Sequence, residues 1–185
     1  KIEGIDHVVQ SPEEPFVLVA NHMSSLETFI IPSIVYPHRG MTFVVKDTLP
    51  EQWLFGPIMK ATAPIAVTRR NPKEDLRKVL SEGQRCLDNG TSVLIFPQTT
   101  RSRTFDPAQF TSLGEKLAAR ANVRILPVAL KTDFWGSGSI VKDAGRIDPR
   151  QPIRIAFGPP LDNSLPRKQL RGELTGFIAD KLSSW

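Results

Sequence analysis

In Asn21-His22-Met23-Ser24-Ser25-Leu26-Glu27, side-chain types and spacing allow chemistry: a histidine stands five residues ahead of a carboxylate. The stretch follows the apolar run Phe16–Ala20, which reads as a buried strand. Past the carboxyl end of such a strand, His22 could act as a general base. Glu27 could then accept the other ring N–H, fixing the tautomer and stabilising the imidazolium. Residues five apart in one continuous helix diverge by roughly 140°, so the pair meets only if the chain bends, as a strand-to-helix turn at Ser24 would allow. A plainer reading uses the same residues. Ser24-x-x-Glu27 is also a capping box, in which the glutamate reaches back to the backbone of the cap. This stretch alone favours capping and leaves both readings open.

Two further groups of residues suit an anion. Phe96-Pro97-Gln98-Thr99-Thr100-Arg101-Ser102-Arg103 follows the apolar run Ser92–Ile95. Arginine forks bind phosphate oxygens, and Gln98, Thr99, Thr100 and Ser102 add donors. Lys46 follows Thr42–Val45, and Arg69-Arg70 follow Ile65–Thr68. A solvated surface charge explains any one of these cations. Several of them at strand ends, beside one histidine, argue for a site.

Strands are expected at Val17–Ala20, Met41–Val45, Ile65–Val67, Val93–Phe96, Val123–Leu130 and Ile153–Phe157. Short apolar runs without alternation are those of strands buried on both faces, as in parallel sheets. The clearest helix spans Pro72 to Leu87, with Asn71 as N-cap, Pro72 in the first position and Gly90 after its end. Cys86 falls on its apolar face and reads as a small core residue. Other helices are expected at Leu26–Val35, Glu51–Lys60, Ala108–Ala121 and around Leu170–Leu182, with a long loop or insertion over Asp133–Pro152. Together these give an α/β fold: one domain over residues 1–185, with a mainly parallel central sheet flanked by helices.

Composition narrows the function less. The net charge of +5 suits an anionic membrane surface or acidic small molecules as well as nucleic acid. One cysteine excludes an internal disulfide and fits a reducing compartment. His7, His22 and His38 have no metal-ligand spacing, so no metal is expected. There is no P-loop, dinucleotide fingerprint or nucleophile elbow. No apolar run reaches the ~20 residues needed to cross a bilayer. The chain opens on Lys1, which leaves an upstream membrane anchor open.

Taken in order, these motifs resemble those of the phospholipid/glycerol acyltransferase family. NHMSSLE is similar to the N-H-x-S-x-x-D motif, with Glu27 at the Asp position. Lys46, Phe55-Gly56 and Ala63–Arg69 resemble the second block, and FPQTTRS (96–102) resembles F-P-E-G-T-R-S. Ile125–Ala129 and Ile155–Pro159 are similar to the later strands. The resemblance implies a glycerol-phosphate acyltransferase-like fold and acyl transfer. His22 would be the base, oriented by Glu27. Asn21, Ser24, Lys46, Arg69, Gln98, Thr99, Thr100, Arg101 and Ser102 would bind substrate. The acceptor would be a lysophospholipid, and the co-substrate an acyl-CoA or acyl carrier protein thioester, with no tightly bound cofactor and no nucleic acid. The expected location is peripheral to, or anchored at, the cytoplasmic face of a membrane. Gln98 and Thr99 depart from the motif and leave the acceptor's identity open. The alternative is a non-catalytic relative that binds anionic lipid.

Overall fold

The computed structural model describes residues 1–10, 13–49, 62–98, 100–135 and 145–185. Its strands are β1 (Ile2–Glu3), β2 (Val17–Ala20), β3 (Met41–Lys46), β4 (Ile65–Val67), β5 (Ser92–Ile95), β6 (Ile125–Lys131) and β7 (Arg154–Phe157). Its helices are α1 (Asp6–Val9), α2 (Glu27–Val35), α3 (Pro72–Asp88), α4 (Leu113–Ala121) and α5 (Arg167–Ser184). Among the described residues the strands form one sheet in the order β1-β7-β6-β2-β5-β3-β4. Strands β2 to β6 run parallel, and β7 joins β6 antiparallel. The mainly parallel α/β architecture read from the sequence is therefore the one observed. The expected helix Glu51–Lys60 lies outside the described residues. The segment expected as Ala108–Ala121 is split: a 3₁₀ turn at Pro107–Gln109 precedes α4. Two short elements, β1 and α1, were not foreseen, being too brief to show a period.

The strands divide their side chains between two cores, as the pleat requires. In β2, Leu18 and Ala20 face Ile31 and Val35 of α2, whereas Val17 and Val19 face the side covered by α3, α4 and α5. Every residue of β2 and β5 is buried, which explains their unbroken apolar runs. Cys86 packs against the second core, and burial pushes its thiol pKa up, as expected for a filler rather than a nucleophile. Arg39 staples the amino-terminal segment to the end of α2. Its guanidinium donates to the carbonyls of Val8, Gln10 and Glu14 and lies 4.4 Å from the Phe16 ring centroid.

Parallel registry brings the candidate residues to one edge. Val19 pairs with Ile95, so His22 and Gln98, three residues further on, leave the sheet side by side. Lys46 pairs with Val67, which puts Lys46 and Arg69 at the same edge. Adjacent strands β2 and β5 continue into α2 and α4 on opposite faces of the sheet, and that divergence opens a crevice at their carboxyl ends.

The packing of α4 on β2 depends on Gly114, where an added Cβ would lie 2.5 Å from Val19 Cγ2. Helix propensity favours Gly114→Ala by at most about 1 kcal/mol, whereas overpacking a closed core costs about 1–3 kcal/mol. Because Val19 is fully buried, the clash dominates. The expected outcome in urea unfolding is a net destabilisation near 1 kcal/mol; a stabilised variant would contradict this packing.

Candidate active site

The turn between β2 and α2 folds His22 against Glu27. His22 Nδ1 lies 2.5 Å from Glu27 Oε2, and the imidazole stacks on Phe96 with ring centroids 4.3 Å apart. Glu27 is wholly buried, while the His22 side chain keeps 19% of its exposure. The other carboxylate oxygen, Oε1, accepts from Met23 N at 2.8 Å, Ser24 N at 3.1 Å and Thr132 Oγ1 at 2.5 Å. A buried carboxylate costs several kcal/mol unless such donors replace water. Both readings of the sequence thus describe one residue: Oε1 makes the backward capping contact while Oε2 holds the histidine. The serine half of the box is absent. Helix α2 starts at Glu27 without a side-chain cap, and buried Ser24 Oγ has no hydrogen-bond partner among the described residues.

The backbone of His22 is clamped by the loop after β5. His22 N donates to Gln98 Oε1 at 2.7 Å, and Ser102 N donates to His22 O at 2.9 Å. With Nδ1 turned to Glu27, the bond pattern assigns that nitrogen the proton and leaves Nε2 as the basic edge. His22 borders a cleft of about 890 Å³, which Lys46, Arg69, Gln98, Thr100 and Arg101 also line. Arg101 Nη1 donates to Ser25 Oγ, which fixes the guanidinium next to the β2–α2 turn. Leu49, Val67, Leu76 and Leu113 give the same cleft an apolar wall. The arrangement joins a carboxylate-held imidazole, a cationic region and an apolar surface.

Arg69 adopts φ 57°. This left-handed conformation costs a non-glycine residue on the order of 1–3 kcal/mol. Asp75, in the first turn of α3, holds it in place by accepting from Thr68 N at 2.9 Å and Arg69 N at 2.8 Å. Sequence spacing pointed to Arg69 but gave no sign of Asp75.

Three residues expected to bind substrate occupy other positions. Asn21 is 1% exposed, and its amide pairs with both backbone groups of Leu130, extending the β2–β6 ladder by a side chain. Ser24 is buried beneath the turn, and Ser102 Oγ turns to Thr104. None of the three borders the cleft. Thr99 lies outside the described residues. Phe134 and Trp135 are half-buried, and Trp53 and Phe55 lie outside the described residues. Among the described residues no helix is long and apolar enough to cross a membrane.

A family profile described as Acyltransferase matches residues 1–131. The chain belongs to the acyltransferase family. A protein named 1-acyl-sn-glycerol-3-phosphate acyltransferase from Pseudomonas aeruginosa is 30% identical over 160 residues, covering 86% of this chain and 58% of the relative. A probable 1-acyl-sn-glycerol-3-phosphate acyltransferase from Mycoplasma pneumoniae is also 30% identical, over 70% of this chain and 50% of the relative. The chain thus spans little more than half the length of these acyltransferases. The crystal structure of the 1-acyl-sn-glycerophosphate (LPA) acyltransferase PlsC from Thermotoga maritima matches with a TM-score of 0.70 at 20% identity, over 99% of this chain and 70% of that one. At that identity the likeness speaks for the fold.

In this chain Gln98 stands where the family motif has glutamate, and its observed contact needs only an acceptor oxygen. Gln98→Met removes that acceptor and leaves the part-buried His22 N–H unpaired, at a cost of about 1 kcal/mol or more. Gln98→Glu keeps an acceptor and should cost less. Urea unfolding of both variants checks the clamp; equal losses would refute it.

Proposed function

We propose that this chain catalyses O-acyl transfer from an acyl thioester to the hydroxyl of a lysophospholipid such as 1-acyl-glycerol-3-phosphate. The observation that carries the reading is the 2.5 Å contact between His22 Nδ1 and buried Glu27, at the edge of a cleft that Lys46, Arg69 and Arg101 also line. The names of the relatives support the acceptor class.

His22 Nε2 takes the proton of the acceptor hydroxyl as its oxygen attacks the thioester carbon. Glu27 stabilises the resulting imidazolium through Nδ1. The tetrahedral oxyanion collapses and the carbon–sulfur bond breaks. The thiolate leaves with the proton from His22, giving an ester and a free thiol. Arg69 and Arg101, with Lys46, hold the acceptor's phosphate, and Thr100, which lines the same cleft, orients its glycerol. The apolar wall formed by Leu49, Val67, Leu76 and Leu113 suits an acyl chain. Nothing in this scheme requires an acyl-enzyme. The donor is carried by coenzyme A or acyl carrier protein, and the enzyme works at a membrane surface, on its cytoplasmic side.

The test is ester formation across a lysophospholipid panel, with acyl-CoA and acyl carrier protein thioesters as donors. Wild-type protein should esterify lysophosphatidate, and His22→Ala should lower kcat by about 10²–10⁴-fold. No ester with any pair, or unchanged turnover in His22→Ala, would sink the proposal. Glu27→Gln separates the two uses of that carboxylate. It retains the capping acceptor, so folding should persist while kcat falls by about a hundredfold. Full activity in Glu27→Gln would reduce Glu27 to a cap.

A further inference from the structure

The carboxylate that orients His22 needs an orienter of its own. Of the donors to Glu27 Oε1, Met23 N and Ser24 N belong to the same turn as Glu27 and move with it. Thr132 Oγ1 comes from across the sheet, 105 residues away, just past the end of β6. Its side chain is wholly buried. Strand periodicity puts it there. Val128 and Leu130 face the core beneath α2, and Thr132 continues that face by one more step. The amide of Asn21 pairs with Leu130 N and O at 2.8 Å, so the end of β6 cannot slide relative to the turn that carries His22.

We propose that Thr132 is a positioning residue for acyl transfer, acting through Glu27 and resting on the dyad reading above. Glu27 Oε1 takes three donors, which leaves Oε2 to face His22 Nδ1. Without the Thr132 hydroxyl, only the local turn sets the carboxylate's rotation, and Oε2 can swing off the Nδ1–H axis. The imidazolium then loses its best-aligned partner as it forms. The effect belongs in kcat, because Thr132 is wholly buried and does not border the cleft.

The experiment is a double-mutant cycle measured by steady-state kinetics on lysophosphatidate with an acyl thioester. Thr132→Val keeps the shape and removes the hydroxyl. It should lower kcat by about tenfold, the low end for losing a hydrogen bond to a charged group, and leave both KM values within about twofold. Thr132→Ser should recover most of the rate. In the Glu27→Gln background, Thr132→Val should add less than a twofold further loss. Should Thr132→Val fold poorly, Thr132→Ala against Thr132→Ser isolates the hydroxyl, since both lack the methyl. Wild-type kcat in Thr132→Val would overturn the inference while leaving the dyad intact. So would a loss confined to KM, failure of serine to rescue, or an undiminished loss in the Glu27→Gln background. Full activity in Glu27→Gln would instead overturn both the dyad and this inference.

Discussion

The wholly buried carboxylate of Glu27 is the constraint around which the rest of the site is organised. A charged group without exposure is tolerated only where fixed donors replace its hydration. Here those donors come from two separate parts of the chain, the β2–α2 turn and the residue after β6. The carboxylate therefore ties the start of α2 to the end of β6 and gives the sheet registry a chemical consequence. A slip of β6 by one residue would turn Thr132 to the opposite face and strip Glu27 of its cross-sheet donor. The bidentate Asn21–Leu130 pairing opposes that slip at the one point where it would reach the histidine.

The parts of the fold with short-range signatures were legible in the sequence. Buried parallel strands leave unbroken apolar runs, and β2 and β4 fall on the residues expected for them. Helix α3 carries its own start signal: Asn71 accepts from Glu74 N with Pro72 in the first turn. The partnership of His22 with Glu27 was legible only as one of two choices. The capping reading and the dyad reading compete for the same side chain, and spacing alone does not say that a carboxylate's two oxygens serve both.

What the sequence withheld is non-local. Thr132 meets Glu27 across 105 residues, Asn21 meets Leu130 across 109, and Gln98 meets His22 across 76. Each contact depends on which strands become neighbours, and crossover connections hide that adjacency from any local period. Asn21 and Ser102, next to His22 at the strand ends, look like substrate ligands. The sheet edge claims them because a strand end leaves backbone groups unpaired, and nearby amides and N–H groups are the closest partners. Asp75 was hidden for a related reason. Within α3 it reads as an ordinary first-turn acid, and only the fold shows it holding the backbone of Arg69 at positive φ.

The same geometry changes the meaning of the departure at Gln98. As a motif position it bears on what the acceptor can be. In the structure its side-chain oxygen accepts from His22 N, a role that glutamine and glutamate fill equally well. What differs is the second head-group atom. A backbone N–H can only donate, so the Gln98 oxygen must face His22 and its amide nitrogen takes the other position. Glutamate would put an acceptor and a negative charge at the border of a cleft that also holds Lys46, Arg69 and Arg101. Glutamine puts a neutral donor there instead. For an acceptor with a phosphate, that exchange removes a repulsion and leaves the clamp on His22 unchanged. The substitution therefore acts on the charge of the cleft, while the histidine, its carboxylate and the donors beneath it are the parts that the sheet registry protects.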